Sequence, residues 1–180
     1  MTRLHATVKL LSHHSSAFLC QIAWGRRNLS VIGEWHESQI ITDRRSKFQA
    51  RHVPLTDPAD IPEIISQFLA QNKSLAKNAS HPHMLAWRTG QVSPIERGQL
   101  ETTPAYVNVQ QGFKDCGEKG AGSRILDVLV SHGAFNKLVI VTRWYGGSPL
   151  GSLRFRHIAN SSAESLRKGT TNERHVTKRK

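Results

Sequence analysis

Residues 115–166 read DCGEKGAG, SRILDVLVSHG, AFNKLVIVTRWYGGSPLG and SLRFRHIANSSAESL, and this stretch decides most of the fold. Two glycine-rich loops bracket a short amphipathic helix and one very apolar strand, and a second helix follows at once. Glycine is favoured where the backbone takes a positive φ or passes close to another group. Because a single helix–strand unit separates the two loops, we expect both loops to lie in the same region of a small sheet.

The arginines and aromatic residues of this stretch form a predicted contact surface. Aromatic rings beside arginines are frequent hot spots of protein interfaces. One of the two rings that end the strand, Trp144 or Tyr145, could instead close the core, and the alternation of side chains along a strand allows both roles. The predicted partner-binding surface consists of Arg124, Arg143, Trp144, Tyr145, Gly146, Gly147, Arg154, Arg156 and His157.

The first loop also suggests a phosphate-binding site, because its glycines precede a helix whose first N–H groups are free. It is not a Walker A loop, since Lys119 stands before Gly120 and Gly122, whereas that motif places Lys and Ser or Thr after its last glycine. A tight loop-to-helix turn without a ligand is the favoured alternative. The candidate anion site comprises Asp115, Gly117, Glu118, Gly120, Gly122 and Ser123.

Catalytic constellations are weak in this sequence. Asp115 and Glu118 could act as general acid and base, but carboxylates just before a helix are commonly its caps or dipole partners. His81 and His83 lack a third metal ligand, and His157 has no carboxylate within its own segment to orient it. We therefore expect no enzymatic activity, no metal and no cofactor.

The whole chain alternates strands and helices. Runs with alternating or continuous apolar residues mark the strands, and apolar residues at helical spacing mark the helices. The predicted elements are strands at 38–41 and 46–53, a helix from Asp60 to about Lys73, a strand at 84–88, a stretch at 90–112 that is mostly loop with a short strand near Tyr106, a helix from Ser123 to Gly133, a strand at 138–141 and a helix from Phe155 to Gly169. The order β-β-α-β-α-β-α, with a hairpin first, predicts a single α+β domain with helices on a mixed sheet.

The positive charge is concentrated at the two ends. The formal net charge is +12, and residues 1–33 carry four basic and no acidic side chains, while residues 167–180 carry six basic and one acidic. We therefore expect a basic, disordered extension at 1–33, a domain at 34–168 and a basic tail at 169–180. The tail either binds polyanions or is a solvated end.

Composition also bears on the compartment. The acid-free first residues are compatible with a mitochondrial transit peptide, but an ordinary extension is favoured, so we expect a cytoplasmic protein with a mitochondrial alternative. No apolar run approaches the roughly 20 residues of a membrane helix. Cys20 and Cys116 lack CxxC spacing and suit a reducing compartment. Cys116 is a poor nucleophile, because Asp115 beside it disfavours the thiolate.

Three motifs resemble the IMPACT family (UPF0029) in its eukaryotic form. The stretch RWYGG-x-x-LG-x-x-RFRHI-x-N at 143–160 is similar to the family signature, and DCGEKGAGSRIL at 115–126 to its acidic-glycine loop. The stretch IITDRRSKFQARHVPL at 40–55 is similar to its opening hairpin. The resemblance extends from about residue 33 to residue 168.

The resemblance implies a fold like the second domain of a small-subunit ribosomal protein, with a four-stranded sheet and helices on one side. It also implies a role in translational control, because the eukaryotic namesake restrains the amino-acid-starvation kinase pathway by competing for the kinase's ribosome-associated activator. That namesake carries an additional RWD domain, for which residues 1–33 are too short. The chain departs from the family at Cys116, where a second acid is usual, and at Ser152 and Leu153, where Pro-Asp is usual.

Two functions therefore stand as hypotheses. The first is a catalytically inert regulatory module that binds a protein partner in the translation machinery. The alternative is a ribosome- or RNA-associated domain whose basic ends supply the affinity.

Overall fold

The computed structural model describes residue 32, residues 34–93 and residues 105–177, with side chains as far as residue 168. The elements are β1 His36–Glu37, β2 Ile41–Asp43, β3 Ser46–Pro54, a 3-10 turn Pro58–Asp60, α1 Ile61–Gln71, α2 Lys73–Asn78, β4 His81–Val92, β5 Tyr106–Lys114, α3 Ala121–Ser131, β6 Lys137–Trp144 and α4 Leu153–Thr177. Among the helices in these ranges, none combines the length and the apolar character needed to cross a membrane.

The sheet has six strands in the described residues, and every pairing is antiparallel. The order is β1-β3-β6-β4-β5, and β2 pairs with β3 beside β1. The apolar run at 138–141 forms the centre of β6 and is buried throughout, as the sequence predicts. The α+β class is confirmed, whereas the mixed sheet of about four strands is wrong.

The helical crossovers explain why the sheet is not mixed. Strands β3 and β4, joined through α1 and α2, run parallel to each other, but β6 lies between them. Strands β5 and β6, joined through α3, are likewise separated by β4. Each crossover therefore skips one strand, and the strand that fills the gap runs antiparallel to both neighbours.

Helices cover both faces of the sheet, so the expectation of helices on one side is also wrong. On one face, Phe48, Val139 and Val141 contact a core built with α3 and α4. On the opposite face, Leu138 and Ile140 contact α1 and α2. Because successive side chains of a strand point to opposite faces, the one apolar strand β6 contributes side chains to both cores.

The remaining differences concern the bounds of elements. The strand expected at 38–41 is observed as β2 at 41–43, the strand expected at 84–88 extends over 81–92, and α2 follows the helix expected to end near Lys73. Strand β5 was expected as a short strand within a loop, because only Val107, Val109 and Phe113 mark one face and almost all its side chains are exposed at the sheet edge. Helix α4 continues past Gly169 to Thr177. A glycine inside a helix costs only about 1 kcal/mol, so it does not have to end one. Residues 1–31 of the predicted extension lie outside the described residues, as do the side chains of the predicted tail.

Substitutions in the two cores test the two-faced architecture. We expect Phe68→Ala on α1 and Ile158→Ala on α4 each to lower the free energy of unfolding by roughly 2–5 kcal/mol, because both side chains are fully buried in separate cores. Urea unfolding measures both. If Ile158→Ala strongly lowers the free energy of unfolding and Phe68→Ala does not, the packing of α1 on the second face is contradicted.

A buried histidine ties β3 to α4. The fully buried His52 places its Nδ1 2.8 Å from the Ser165 hydroxyl, which donates to the carbonyl of His36 at 2.7 Å. Since the hydroxyl proton is used, Nδ1 carries the ring proton and donates to Ser165. Burial, followed by the charges of Lys137 and His36, lowers the pKa of His52 from 6.5 to about 3.

The lowered pKa of His52 predicts acid sensitivity. Below pH 6.5 the unfolded chain takes up a proton that the native state excludes, so stability is complete above 6.5 and falls towards pH 3. The slope from this residue is about 1.4 kcal/mol per pH unit. We expect the stability difference between the wild type and His52→Asn to shrink by about 2 kcal/mol between pH 7 and pH 5 in urea unfolding. A constant difference would show that His52 titrates alike in both states.

Candidate functional site

The two glycine-rich loops lie at the same end of the sheet, beside the β2–β3 turn. We call this region, residues 43–46, 115–120 and 145–152, the loop end. The N–H of Gly146 donates to the Ser46 hydroxyl at 3.0 Å. A Cβ at Gly146 would stand 2.2 Å from the carbonyl carbon of Arg45, so this backbone crossing requires glycine.

A buried carboxylate holds the loop end together. Glu118, from the first loop, forms an ion pair with Nη1 of Arg143 on β6. Its Oε1 lies 2.7 Å from Nε of Arg154 on α4, and its Oε2 lies 3.3 Å from Nε2 of His81 on β4. Both Glu118 and Arg143 are buried, and a buried charge is tolerated only when it is paired in this way. Glu118 therefore fixes the loop, two strands and a helix relative to one another.

The candidate anion site is engaged by the loop's own carboxylate. Asp115 accepts hydrogen bonds from the N–H groups of Gly120 at 2.9 Å and Gly122 at 2.8 Å. Gly117 and Gly120 adopt positive φ values of 93° and 85°, and the Ser123 hydroxyl donates to the carbonyl of Gly120. Asp115 thus neutralises the start of α3, which is the arrangement of a ligand-free turn.

Several residues of the predicted partner-binding surface are tied into the structure. Arg143 is buried between the rings of Phe48 and Tyr145, with its guanidinium carbon 5.4 and 5.5 Å from their centres. Arg154 is partly buried against Glu118 and Phe155. These arginines hold the site in place rather than forming its outer face.

The two aromatic residues point in different directions. Trp144 is partly buried against the core of α1 and lines a cleft with Arg51 on that face. Tyr145 is 51% exposed at the loop end, and its backbone N–H donates to the Ser80 hydroxyl at 3.1 Å. One ring therefore packs on the core and the other is exposed, as the alternation of side chains along a strand allows.

His157 gains the carboxylate that its own segment lacks. Its Nε2 lies 2.8 Å from Oδ2 of Asp43 in the β2–β3 hairpin, and its ring contacts Phe48. Sequence reasoning missed Asp43 and the contact of His81 with Glu118, because neither shows a spacing signal: 114 positions separate Asp43 from His157.

What remains exposed centres on a groove between α3 and α4, which we call the arginine groove. It encloses about 400 Å³ and is lined by Gly120, Ser123, Arg124, Ser152, Phe155 and Arg156. Tyr145 and Gly147 are exposed on the neighbouring loop. The outward face of the loop end is therefore cationic and aromatic.

The Cys116 thiol and the His83 imidazole near the loop end have shifted pKa values. Burial raises the pKa of the Cys116 thiol; Lys114 partly offsets this, and the Asp115 carboxylate adds to it. Burial and the charge of Lys114 lower the pKa of His83. Within the parts of the chain that the structure describes, no three histidine, cysteine or carboxylate side chains are grouped to hold a metal ion.

These observations define a small antiparallel α+β domain with skipped crossovers, whose loop end is fixed by one buried ion-pair cluster. Comparison with known proteins places it more narrowly. Residues 44–166 match the model of the Impact N-terminal domain, and the chain belongs to the IMPACT family.

Its relatives differ in how much of their length it spans. The chain is 47% identical over 160 residues to an IMPACT family member of Saccharomyces cerevisiae, covering 77% of this chain and 94% of that protein. It is 36% identical over 126 residues to the human Protein IMPACT, covering 70% of this chain but only 35% of that protein. A solved structure of the two-domain translational regulator Yih1 is 30% identical, covers 77% of this chain and 48% of that chain, and has a TM-score of 0.47.

The ion-pair cluster makes a stability prediction. Glu118→Gln keeps the shape of the side chain but leaves Arg143 and Arg154 without their anion, so we expect a loss of roughly 3–5 kcal/mol in the free energy of unfolding. Asp127→Asn removes an exposed carboxylate 3.6 Å from Arg124 and should change the free energy of unfolding by less than about 0.5 kcal/mol. Similar values for the two variants in urea unfolding would contradict the central role of Glu118.

Proposed function

We propose that this chain is a non-catalytic regulatory module that binds a protein partner in the translation machinery. In line with what the family resemblance implies, that partner is the ribosome-associated activator of the amino-acid-starvation kinase, met in the cytoplasm. One observation carries the proposal: an exposed aromatic ring and two exposed arginines stand on loops and helix starts that a buried ion-pair cluster holds rigid.

The contact surface that we propose is smaller than the sequence predicts. Tyr145 is its anchor, because its backbone is fixed by Ser80 and its ring lies against the buried guanidinium of Arg143. Arg124 and Arg156 are the exposed charges on the groove side. A side chain held in one place before binding loses little entropy on contact, which favours affinity.

The absence of catalysis is part of the proposal. It is supported by the engagement of each candidate acid or base in a structural contact: Glu118 with two arginines, Asp115 with two backbone amides and His157 with Asp43. A general base needs a free lone pair within reach of a substrate proton. In this domain each of these groups has at least one of its lone pairs or ring nitrogens occupied by a structural contact.

Tyr145→Ala tests the proposed function. We expect the full-length variant to bind the purified activator at least tenfold more weakly than the wild type, because an aromatic anchor contributes about 2 kcal/mol or more. Biolayer interferometry measures the affinity, and thermal unfolding checks the fold. Val130→Ala, which truncates another exposed apolar side chain on α3, is the control and should bind as the wild type does.

Two results would contradict the proposal. If the wild-type chain does not bind the activator, the proposed partner is wrong. If Tyr145→Ala is folded and binds with unchanged affinity, the loop end is not the contact surface.

The ribosome- or RNA-associated alternative depends on the basic ends, of which the structure describes only the side chains of residues 32, 167 and 168. The concentration of positive charge in residues 1–33 and 167–180 favours it. Contacts with several phosphates would make binding strongly salt-dependent. Capture of ribosomes by the full chain that nuclease treatment abolishes would favour this alternative.

A further inference from the structure

The loop end uses its carboxylates internally and leaves its cations outside. Asp43 is engaged by His157, Asp115 by the amides of the first loop, and Glu118 by Arg143 and Arg154. Lys119 of the loop end is exposed, as are Arg124 and Arg156 in the adjoining arginine groove, where Asp127 beside Arg124 is an exposed carboxylate. The field of this end is therefore positive although the sequence here contains both signs.

The two groove arginines are only loosely engaged. Half of the Arg124 side chain is exposed, and its contact with Asp127 is 3.6 Å long, with Asp127 itself 68% exposed. Exposed pairs of this kind contribute little. Arg156 forms no ion pair with any residue that the structure describes. Both guanidinium groups can therefore turn towards a ligand at small cost.

Their positions also run against local electrostatics. Arg124 and Arg156 lie in the first turns of α3 and α4, where the helix dipole favours anions. Neither first turn contains an acidic residue, although Asp115 from the preceding loop meets the first amides of α3. Departures from local rules often mark functional sites. An anion entering between the two helices would be attracted by both side chains.

We propose that the arginine groove binds an acidic segment of a partner protein, with carboxylates of that segment pairing with Arg124 and Arg156. The planar guanidinium group suits this ligand, because it can donate two parallel hydrogen bonds to one carboxylate. A segment of alternating acidic and small residues offers carboxylates at regular intervals to both arginines. This inference rests on the proposed function and specifies the chemistry of the partner.

The groove favours a peptide over a nucleic acid. The groove has a volume of about 400 Å³ and is lined by six residues. Single-stranded nucleic acids are instead bound in extended basic grooves that offer free aromatic rings for base stacking. The one ring in the groove, Phe155, is already contacted by the guanidinium of Arg154 at 4.2 Å and lies close to Gly120. It therefore lacks the open face that stacking on a base requires.

Fluorescence anisotropy of the full chain with labelled probes tests this inference. The probes are a dodecapeptide of alternating Glu and Ser, the same peptide with Gln in place of Glu, a version with phosphoserine, and a single-stranded oligouridine. We expect the Glu-Ser peptide to bind and the Gln-Ser peptide not to bind. The double substitution Arg124→Gln/Arg156→Gln should lower the affinity for the Glu-Ser peptide at least tenfold. The control Lys73→Gln/Lys77→Gln removes the same charge from the opposite face. Its affinity for the Glu-Ser peptide should stay within twofold of the wild-type value.

A second variant keeps the test independent of arginine removal. Ser152→Glu introduces a negative charge at the groove wall and should also weaken the Glu-Ser peptide, while thermal unfolding confirms that each variant is folded. Tighter binding of the phosphoserine peptide, lost in the same variants, would support a phosphorylated form of the same acidic segment.

Other results would overturn the inference. These are no saturable binding of either acidic peptide at about 1 mM, equal loss with the lysine control, or loss of oligouridine rather than peptide in the arginine variant. The proposed function is judged separately, because Tyr145 lies outside the groove lining. If Tyr145→Ala abolishes activator binding while the arginine variant does not, the function stands and this inference falls.

Discussion

The structure depends on the burial of one carboxylate. Removing a charge from water is costly, and the protein meets that cost at Glu118 by bringing two arginines, from β6 and α4, and the His81 imidazole, from β4, to the same point. The glycine-rich loop cannot move without breaking these contacts. The buried ion pairs of Glu118 therefore fix the positions of the exposed groups around the loop end, including Tyr145 and the arginine groove.

This arrangement divides similar side chains between two roles. Arg143 and Arg154 form ion pairs with Glu118 inside the fold, whereas Arg124 and Arg156 remain exposed at the surface. The same division separates the two neighbouring rings at the end of β6, since one closes the second core and the other is exposed. Composition cannot distinguish these roles, because they are set by which face of an element meets the sheet.

The sequence predicted the elements whose signals are local. The amphipathic helices α1 and α3 and the apolar centre of β6 follow from spacing within a few residues. Strand β5 was largely missed, because it lies at the edge of the sheet and has no buried face to impose alternation on its residues. The IMPACT resemblance is confirmed, but the four strands and single helical layer that it implied are not.

The site was predictable as a region and not as a set of contacts. Glycines and arginines in residues 115–166 drew attention to the loop end, yet the partners of Glu118 and His157 come from other parts of the chain. His81 and Asp43 lie far upstream in the sequence, and only the order of strands in the sheet brings them there. A pattern search within one segment has no access to such pairs.

The length of α4 has a consequence for the geometry of any long ligand. The helix starts at the arginine groove and continues as one element to Thr177, so its axis spans on the order of 36 Å at 1.5 Å per residue. The groove end of α4 and its last described turn are thus separated by one continuous helix. A single short peptide cannot bridge them, and only a chain that follows the helix for most of its length could contact both.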